Sequence, residues 1–240
     1  MPPADASCTL KPVARVRSPY REKFGVPRQS GLVEAACGWL EMLPPWDDPA
    51  AFEGIEGFDH LWVIFGFHAC GGEWRLRVRP PRLGGNREVG VFASRSPFRP
   101  NNLGLSLLRF EGLERDAAGL RLRVSGLDLV DDTPVYDIKP YLPYADAVAG
   151  ARGGFAAEPP APRLKVRFAP AARRVLETLD AEAAAALERL AVQTLALDPR
   201  PAYRRGREDG RRYGMRLLDW DLRWEVHGDE LVIEVLVPAA

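Results

Sequence analysis

Up to residue 157 the chain is cut into short apolar runs by glycine, proline and charged residues, and this segmentation limits its fold more than any other feature. Residues 10–16, 32–36, 38–43, 60–68, 74–79, 90–93, 103–110, 120–124 and 127–130 are all of strand length, with turn residues between them. The run 60–68 is nearly all apolar and reads as a fully buried central strand. By contrast, 74–79 alternates strictly and carries an arginine-rich face. Only Asp48-Pro49 has the order of a helix start, and Gly54 and Gly57 keep that helix short. About ten short strands with hardly a helix predict a mainly β domain over 1–157, a single sheet closed into a β-barrel that leaves no free edge.

The composition changes at Glu158-Pro159-Pro160-Ala161-Pro162, a stiff linker over 158–164. Beyond it, 165–240 reads as a small α+β domain. Helices are expected at 170–179 and 181–197, and strands at 213–218, 222–226 and 231–237. In the second helix Leu187, Leu190, Ala191, Thr194 and Leu195 share one face, and Asp180 is placed to cap it. So small a module has to bury its apolar face against the barrel or a second chain.

With 46% hydrophobic residues the chain can fill a core, and its net charge of +0 predicts no global field for nucleic acid or membrane. Arginines nevertheless cluster at 75–99 and 200–212, and a local patch suffices to hold phosphates. Cys8, Cys37 and Cys70 have neither the count nor the spacing of a disulfide framework or a zinc site. With no signal peptide at the N-terminus and no apolar run beyond 61–67, a cytoplasmic protein without a membrane partner is expected.

No glycine-rich nucleotide fingerprint, zinc-protease helix or serine-hydrolase elbow is present. Chemistry is suggested instead by two rigid, charged runs. One is Arg79-Pro80-Pro81-Arg82-Leu83-Gly84-Gly85-Asn86 with Arg95-Ser96-Pro97-Phe98-Arg99-Pro100-Asn101-Asn102. The other begins Asp128-Leu129-Val130-Asp131-Asp132-Thr133-Pro134 and ends Tyr136-Asp137-Ile138-Lys139-Pro140-Tyr141. Arg95 and Arg99 have the spacing to fork a phosphate or carboxylate. Asp128 and Asp131 can accept hydrogen bonds from a ligand's hydroxyls or ammonium group, or simply cap a turn. The three nearby aspartates offer too few oxygens for a hard metal, so no metal is expected. His60, His68 and His227 are dispersed.

These runs, with Arg17-Ser18-Pro19-Tyr20, Lys23-Phe24-Gly25-Val26-Pro27-Arg28-Gln29 and Asp198-Pro199-Arg200-Pro201-Ala202-Tyr203, resemble the TrmO (TsaA-like) family of tRNA adenosine N6-methyltransferases. The resemblance implies a single-sheeted barrel with a small C-terminal domain, a homodimer, and S-adenosylmethionine as cofactor. The substrate it implies is the threonylcarbamoyladenosine next to the anticodon of threonine tRNA. It also implies a cofactor pocket drawn from Pro27, Arg28, Gln29, His68, Ala69, Arg95, Leu105, Asp128, Leu129, Val130 and Asp131. Asp132 departs from the family's usual glycine, though aspartate tolerates the left-handed turn better than most residues.

An N6 whose lone pair is delocalised calls for a group that accepts its proton or polarises it, and Asp137, Tyr141 and Asn101 are the candidates. Lys139 and Arg99 suit the substrate's carboxylate or phosphates, while Phe98, Tyr141 and Tyr203 suit splayed bases. Arg200, Arg204, Arg205 and Arg207 would grip the RNA backbone. A rival reading is a non-catalytic RNA-binding module that uses the same basic loops for phosphate.

Overall fold

The computed structural model describes residues 9–117, 119–206 and 210–239; Cys8 and Arg207 lie outside them. The strands of the first part are β1 (Ala14–Arg17), β2 (Gly38–Met42), β3 (His60–Gly66), β4 (Arg77–Val78), β5 (Val89–Gly90), β6 (Leu103–Asp116), β7 (Gly119–Ser125) and β8 (Pro134–Pro140), followed by the short helix α1 (Pro143–Asp146). Six of them hydrogen-bond in the order β1-β2-β7-β6-β3-β8, and β8 returns to β1, closing the sheet on itself. β4 and β5 form a separate two-stranded ribbon.

Alternation explains the inside. Leu61, Val63 and Phe65 of β3 and Leu120, Leu122 and Val124 of β7 are buried, with side chains of period two pointing one way. Arg121 and Arg123 face out and lie over the Trp39 ring, 4.1 and 6.0 Å from its centroid. Every pairing in the ring is antiparallel. The connections 18–37, 67–102 and 126–133 therefore all emerge at the same end, the mouth of the barrel.

Several expected strands are not strands. Residues 32–36 and 127–130 form turns and irregular backbone. Val33, Ala36, Leu127 and Leu129 are apolar because they are buried at the mouth, where they pack without pairing. Of 74–79 only β4 is extended, and 90–93 is the end of β5 running into a single 3-10 turn at Val91–Ala93. The helix start at Asp48 is a 3-10 turn, Pro49–Phe52, with the Asp48 side chain accepting from Ala50 N.

The second part comprises β9 (Lys165–Phe168), α2 (Pro170–Leu176), α3 (Ala181–Ala196), β10 (Tyr213–Leu217), β11 (Trp220–His227) and β12 (Glu230–Pro238). Its sheet runs β10-β11-β12-β9, with β9, a strand not foreseen, parallel to β12. The expected face of α3 is the buried one, and the Asp180 side chain accepts from Ala183 N. No helix among the described residues is long and apolar enough to cross a membrane.

This module leans on the barrel through residues 18–36. Tyr20 is fully buried, bridges to Leu217, and places its hydroxyl 3.1 Å from Thr194 Oγ1 on α3. Leu218 N donates to Pro19 O (2.8 Å), and Ala35 N donates to Gln193 Oε1 (2.9 Å). Phe24 stacks on Trp224, and a side chain at Gly25 would collide with Met215. One hydrophobic core runs through both parts. Tyr20→Ala is expected to lower unfolding free energy by about 3–5 kcal/mol, against about 1 kcal/mol for Tyr20→Phe, which loses only the hydroxyl bond. Urea titration followed by tryptophan fluorescence measures both; equal, near-zero effects would show that the contact does not join the two parts.

Candidate active site

The mouth is assembled from three loops held together by a few polar contacts. Asp131 accepts from Ser18 N (2.8 Å) and from Arg21 Nη1 (2.6 Å), so each of its oxygens has a partner inside the protein. Ser18 Oγ donates to Leu129 O, and Asp131 N donates to Tyr20 O. Asp132 has φ +61°, the left-handed turn that its position demands. Gly31 N donates to Gly126 O, and Thr133 Oγ1 lies 3.4 Å from His68 Nδ1.

Within this frame the predicted cofactor residues converge. Arg95 Nη1 donates to Gln29 Oε1 at 2.5 Å, and Gln29 Nε2 turns back to Arg28 O. Pro27 and Leu129 are buried, Ala69 and Val130 are half-buried, and Arg28, His68 and Arg95 are exposed. Asp128 dips toward the barrel, where Ser106 Oγ donates to its Oδ1 at 2.7 Å. Burial pushes this carboxyl up to about 6, opposed by the Ser106 hydroxyl, its own and the Ser30 backbone amides, and the charge of Arg95. Ser106 was missed, yet a lone serine among the leucines of β6 is the signal that could have found it.

Leu105 is different: it pairs with Ile64 and faces outward, 49% exposed. Ile64 in turn pairs with Asp137, so Leu105 and Asp137 belong to one row on the outer wall. Asp137 is ion-paired there with Lys139 at 2.8 Å. Tyr141 lies further down, its N donating to His60 O and its ring near Trp62 and His60. From His60 to Gly66 the strand rises roughly 20 Å, so a single chain does not bring Lys139 and Tyr141 to the mouth.

Arg95 and Arg99 do not form a fork. Arg99 Nη1 donates to the carbonyls of Ser94 (2.7 Å) and Val91 (3.2 Å), holding its own loop, and the guanidinium lies over Phe92. Phe98 has Arg75 over one face at 4.6 Å. Asn101 is exposed at the mouth, beside Asn102 in the left-handed region. In the second part Tyr203 is exposed, with Arg204 5.5 Å from its centroid. The expectation for Arg200 is corrected. It is 1% exposed and fastened to Asp198 through Nε (2.8 Å) and Nη2 (3.0 Å), so it builds the fold and does not reach outward.

Chemically, the mouth offers a sheltered carboxylate, an exposed arginine, a carboxamide and apolar walls, a donor set suited to a small zwitterionic ligand with a cationic centre. A closed antiparallel barrel with such a mouth, joined to a small α+β module, belongs to a class of binding and transfer proteins distinct from the doubly wound nucleotide folds. The chain is a member of the tRNA-methyltransferase O family: the family's N-terminal domain model matches residues 15–147 and its C-terminal domain model residues 161–239. It is 45% identical to the tRNA (adenine(37)-N6)-methyltransferase of Escherichia coli over 92% of this chain and 94% of that protein. A Pseudomonas aeruginosa protein provisionally described as the S-adenosylmethionine-dependent methyltransferase RcsF is 50% identical over 93% of this chain and 95% of its own. A crystal structure of TrmO from Pseudomonas aeruginosa superposes with a TM-score of 0.77 at 42% identity, covering 96% of this chain and 98% of that one.

The raised Asp128 has a stability consequence. A carboxyl near 6 when folded and near ~3.9 when unfolded binds its proton more tightly in the native state. It therefore favours folding below about pH 4, and that advantage is lost as pH rises through about 6. Asp128→Asn is expected to remove this decline. Unfolding free energies at pH 4, 5.5 and 7.5 test it, and parallel curves for variant and parent would refute it.

Proposed function

We propose that this chain methylates N6 of the threonylcarbamoylated adenosine next to the anticodon of threonine tRNA, and does so at the barrel mouth. The observation that carries the reading is the nearly full-length match to a tRNA (adenine(37)-N6)-methyltransferase, together with the convergence of Gln29, Arg95 and Asp128 at one place. The chain is thus an S-adenosylmethionine-dependent methyltransferase of tRNA; the threonylcarbamoyl group and the choice of threonine tRNA are the finer parts of the proposal.

The residues fit the cofactor. Asp128 is a carboxylate whose burial outweighs its hydrogen bonds, and a ligand's ammonium or sulfonium charge would offset the cost of ionising it. Arg95, held by Gln29, is placed for the ligand's carboxylate. Leu129, Val130 and Ala69 supply apolar wall, and His68 borders them. Asp131 acts by fixing the loop, since Ser18 and Arg21 already use both its oxygens. When bound, S-adenosylmethionine supplies an electrophilic methyl group that needs little further activation. The protein's contribution is to orient N6 and exclude water, and orientation alone is worth several kcal/mol, up to ~7–11.

Of the three residues considered for the proton on N6, Asn101 is the one at the mouth, and we assign it the polarising contact. Asp137 and Tyr141, with Lys139, form an outer surface along which RNA or a second copy can lie. The exposed apolar residues Trp74, Leu76, Phe92 and Leu105 support a homodimer, for which light scattering should give twice the chain mass of 26.6 kDa; a single-chain mass at micromolar concentration would contradict it. Tyr203, Arg204 and Arg205 take the RNA backbone and bases.

Methyl transfer from S-adenosylmethionine is expected to threonylcarbamoylated threonine tRNA and not to its unmodified transcript. Asn101→Ala should lower turnover by about 10²-fold or more with little change in tRNA affinity, whereas Tyr141→Phe should stay within about twofold of the parent. Equal labelling of the two RNAs would remove the substrate assignment. Labelling of neither, with no cofactor binding at millimolar concentration, would favour the non-catalytic RNA-binding reading.

A further inference from the structure

The second part contains a cavity of about 430 Å³ whose lining includes Arg163, Arg200 and Arg205 with Asp198 and Asp229. Among the described residues its charges do not balance locally. Asp198 spends Oδ1 and Oδ2 on Arg200, at 2.8 and 3.0 Å. Asp229 is taken up by Lys165, 3.0 Å away. Arg163 and Arg205 are left without a carboxylate partner among the described residues. Arg205 does donate from Nη2 to Asp198 O at 3.0 Å, but its Nε is buried with no acceptor at all. Burying a guanidinium donor without a partner is costly, and a site that tolerates the cost is one where an acceptor arrives from outside.

The same cluster reaches the barrel. Burial holds the Arg205 guanidinium below its ordinary value; Asp198 opposes this, while the neighbouring charges of Arg163, Arg28 and Arg200 reinforce it. Arg28 lies in the mouth loop, between Pro27 and Gln29. Four guanidinia therefore lie near one another where the second part meets the mouth, and among the described residues both carboxylates of the lining, Asp198 and Asp229, are already engaged. Gly206 and Gly228, both in the left-handed region, form part of the rim without side chains to narrow it.

We propose that this cavity binds one phosphodiester of the RNA backbone between Arg163 and Arg205, anchoring the substrate strand beside Arg28 and hence beside the barrel mouth. The inference rests on the reading of the chain as acting on tRNA and adds to it a defined anion subsite. Arg163 was not among the residues expected to touch RNA. A phosphate there would meet fixed donors from two directions, which point charges on the surface do not provide.

The test is tRNA affinity measured without cofactor between about 50 and 300 mM salt, for the parent, Arg163→Gln and Arg212→Gln. Arg212 is the control because it is already paired with Glu225 and Glu234. Arg163→Gln should weaken binding by roughly tenfold at low salt and reduce the salt slope by about one phosphate contact, while Arg212→Gln changes neither. Arg205→Lys, which keeps the charge and loses the fork, should fall between them. Inorganic phosphate at constant ionic strength should compete with tRNA for the parent more strongly than for Arg163→Gln. If Arg163→Gln behaves like Arg212→Gln, the subsite is refuted. If inorganic phosphate binds and Arg163→Gln abolishes that binding while tRNA affinity is unchanged, the cavity takes a small anion and the RNA assignment is refuted. Methylation by the parent protein, assayed in parallel, reports separately on the activity: its absence would undo that reading, whereas its presence with an unaltered Arg163→Gln would undo only the subsite.

Discussion

Residues 18–36 are held from both sides, and the position of the site depends on that double attachment. On one side Asp131 accepts from Ser18 N and Arg21, and Tyr20 O accepts from Asp131 N. On the other, the Tyr20 ring is buried against the second part and its hydroxyl meets Thr194. A loop crossing a barrel mouth alone would lose conformational entropy with little in return. Packed between a closed sheet and a second module, it gains apolar burial on one face and charge-assisted hydrogen bonds on the other. Pro27, Arg28 and Gln29 inherit their positions from this arrangement.

The same attachment gives the small module its stability. Its own sheet and two helices bury Trp224, Leu222 and Leu231, but Trp224 also stacks on Phe24 of the barrel connection. Burial shared across the junction couples the arginines of the second part to the mouth. Separation of the two parts would therefore expose apolar surface on both.

Much of the fold was legible from period. Alternation marked the walls of β3 and β7, and the five-residue face and Asp180 cap marked α3. The misses have separate causes. An apolar run records burial, not pairing, so 32–36 and 127–130 read as strands although they only pack at the mouth. Arg200 read as a surface cation because its partner, Asp198, sits two residues earlier in a left-handed turn (φ +53°), a geometry that composition does not reveal. Asp137, Lys139 and Tyr141 were grouped with Asp128 by closeness in sequence. β8 then carries them along the outer wall, about 3.3 Å per residue away from the mouth. The resemblance drew Gln29, Arg95 and Asp128 together before the structure placed them at one mouth; the contacts of Ser106, Ser30 and Arg21 were not legible, because each acts on a residue distant in the chain.

In the proposed function the mouth, with Asp128 at its floor, receives a cationic methyl donor. The most direct measurement is calorimetric binding of S-adenosylmethionine from pH 5 to pH 8, for the parent and for Asp128→Asn. Because burial pushes the unliganded carboxyl up to about 6 and the ligand would favour its ionised form, affinity should rise through that pH and then level off, with proton release on binding at the lower end. Asp128→Asn should bind more weakly and without the rise. Equal affinity and the same pH dependence in both proteins would contradict the account.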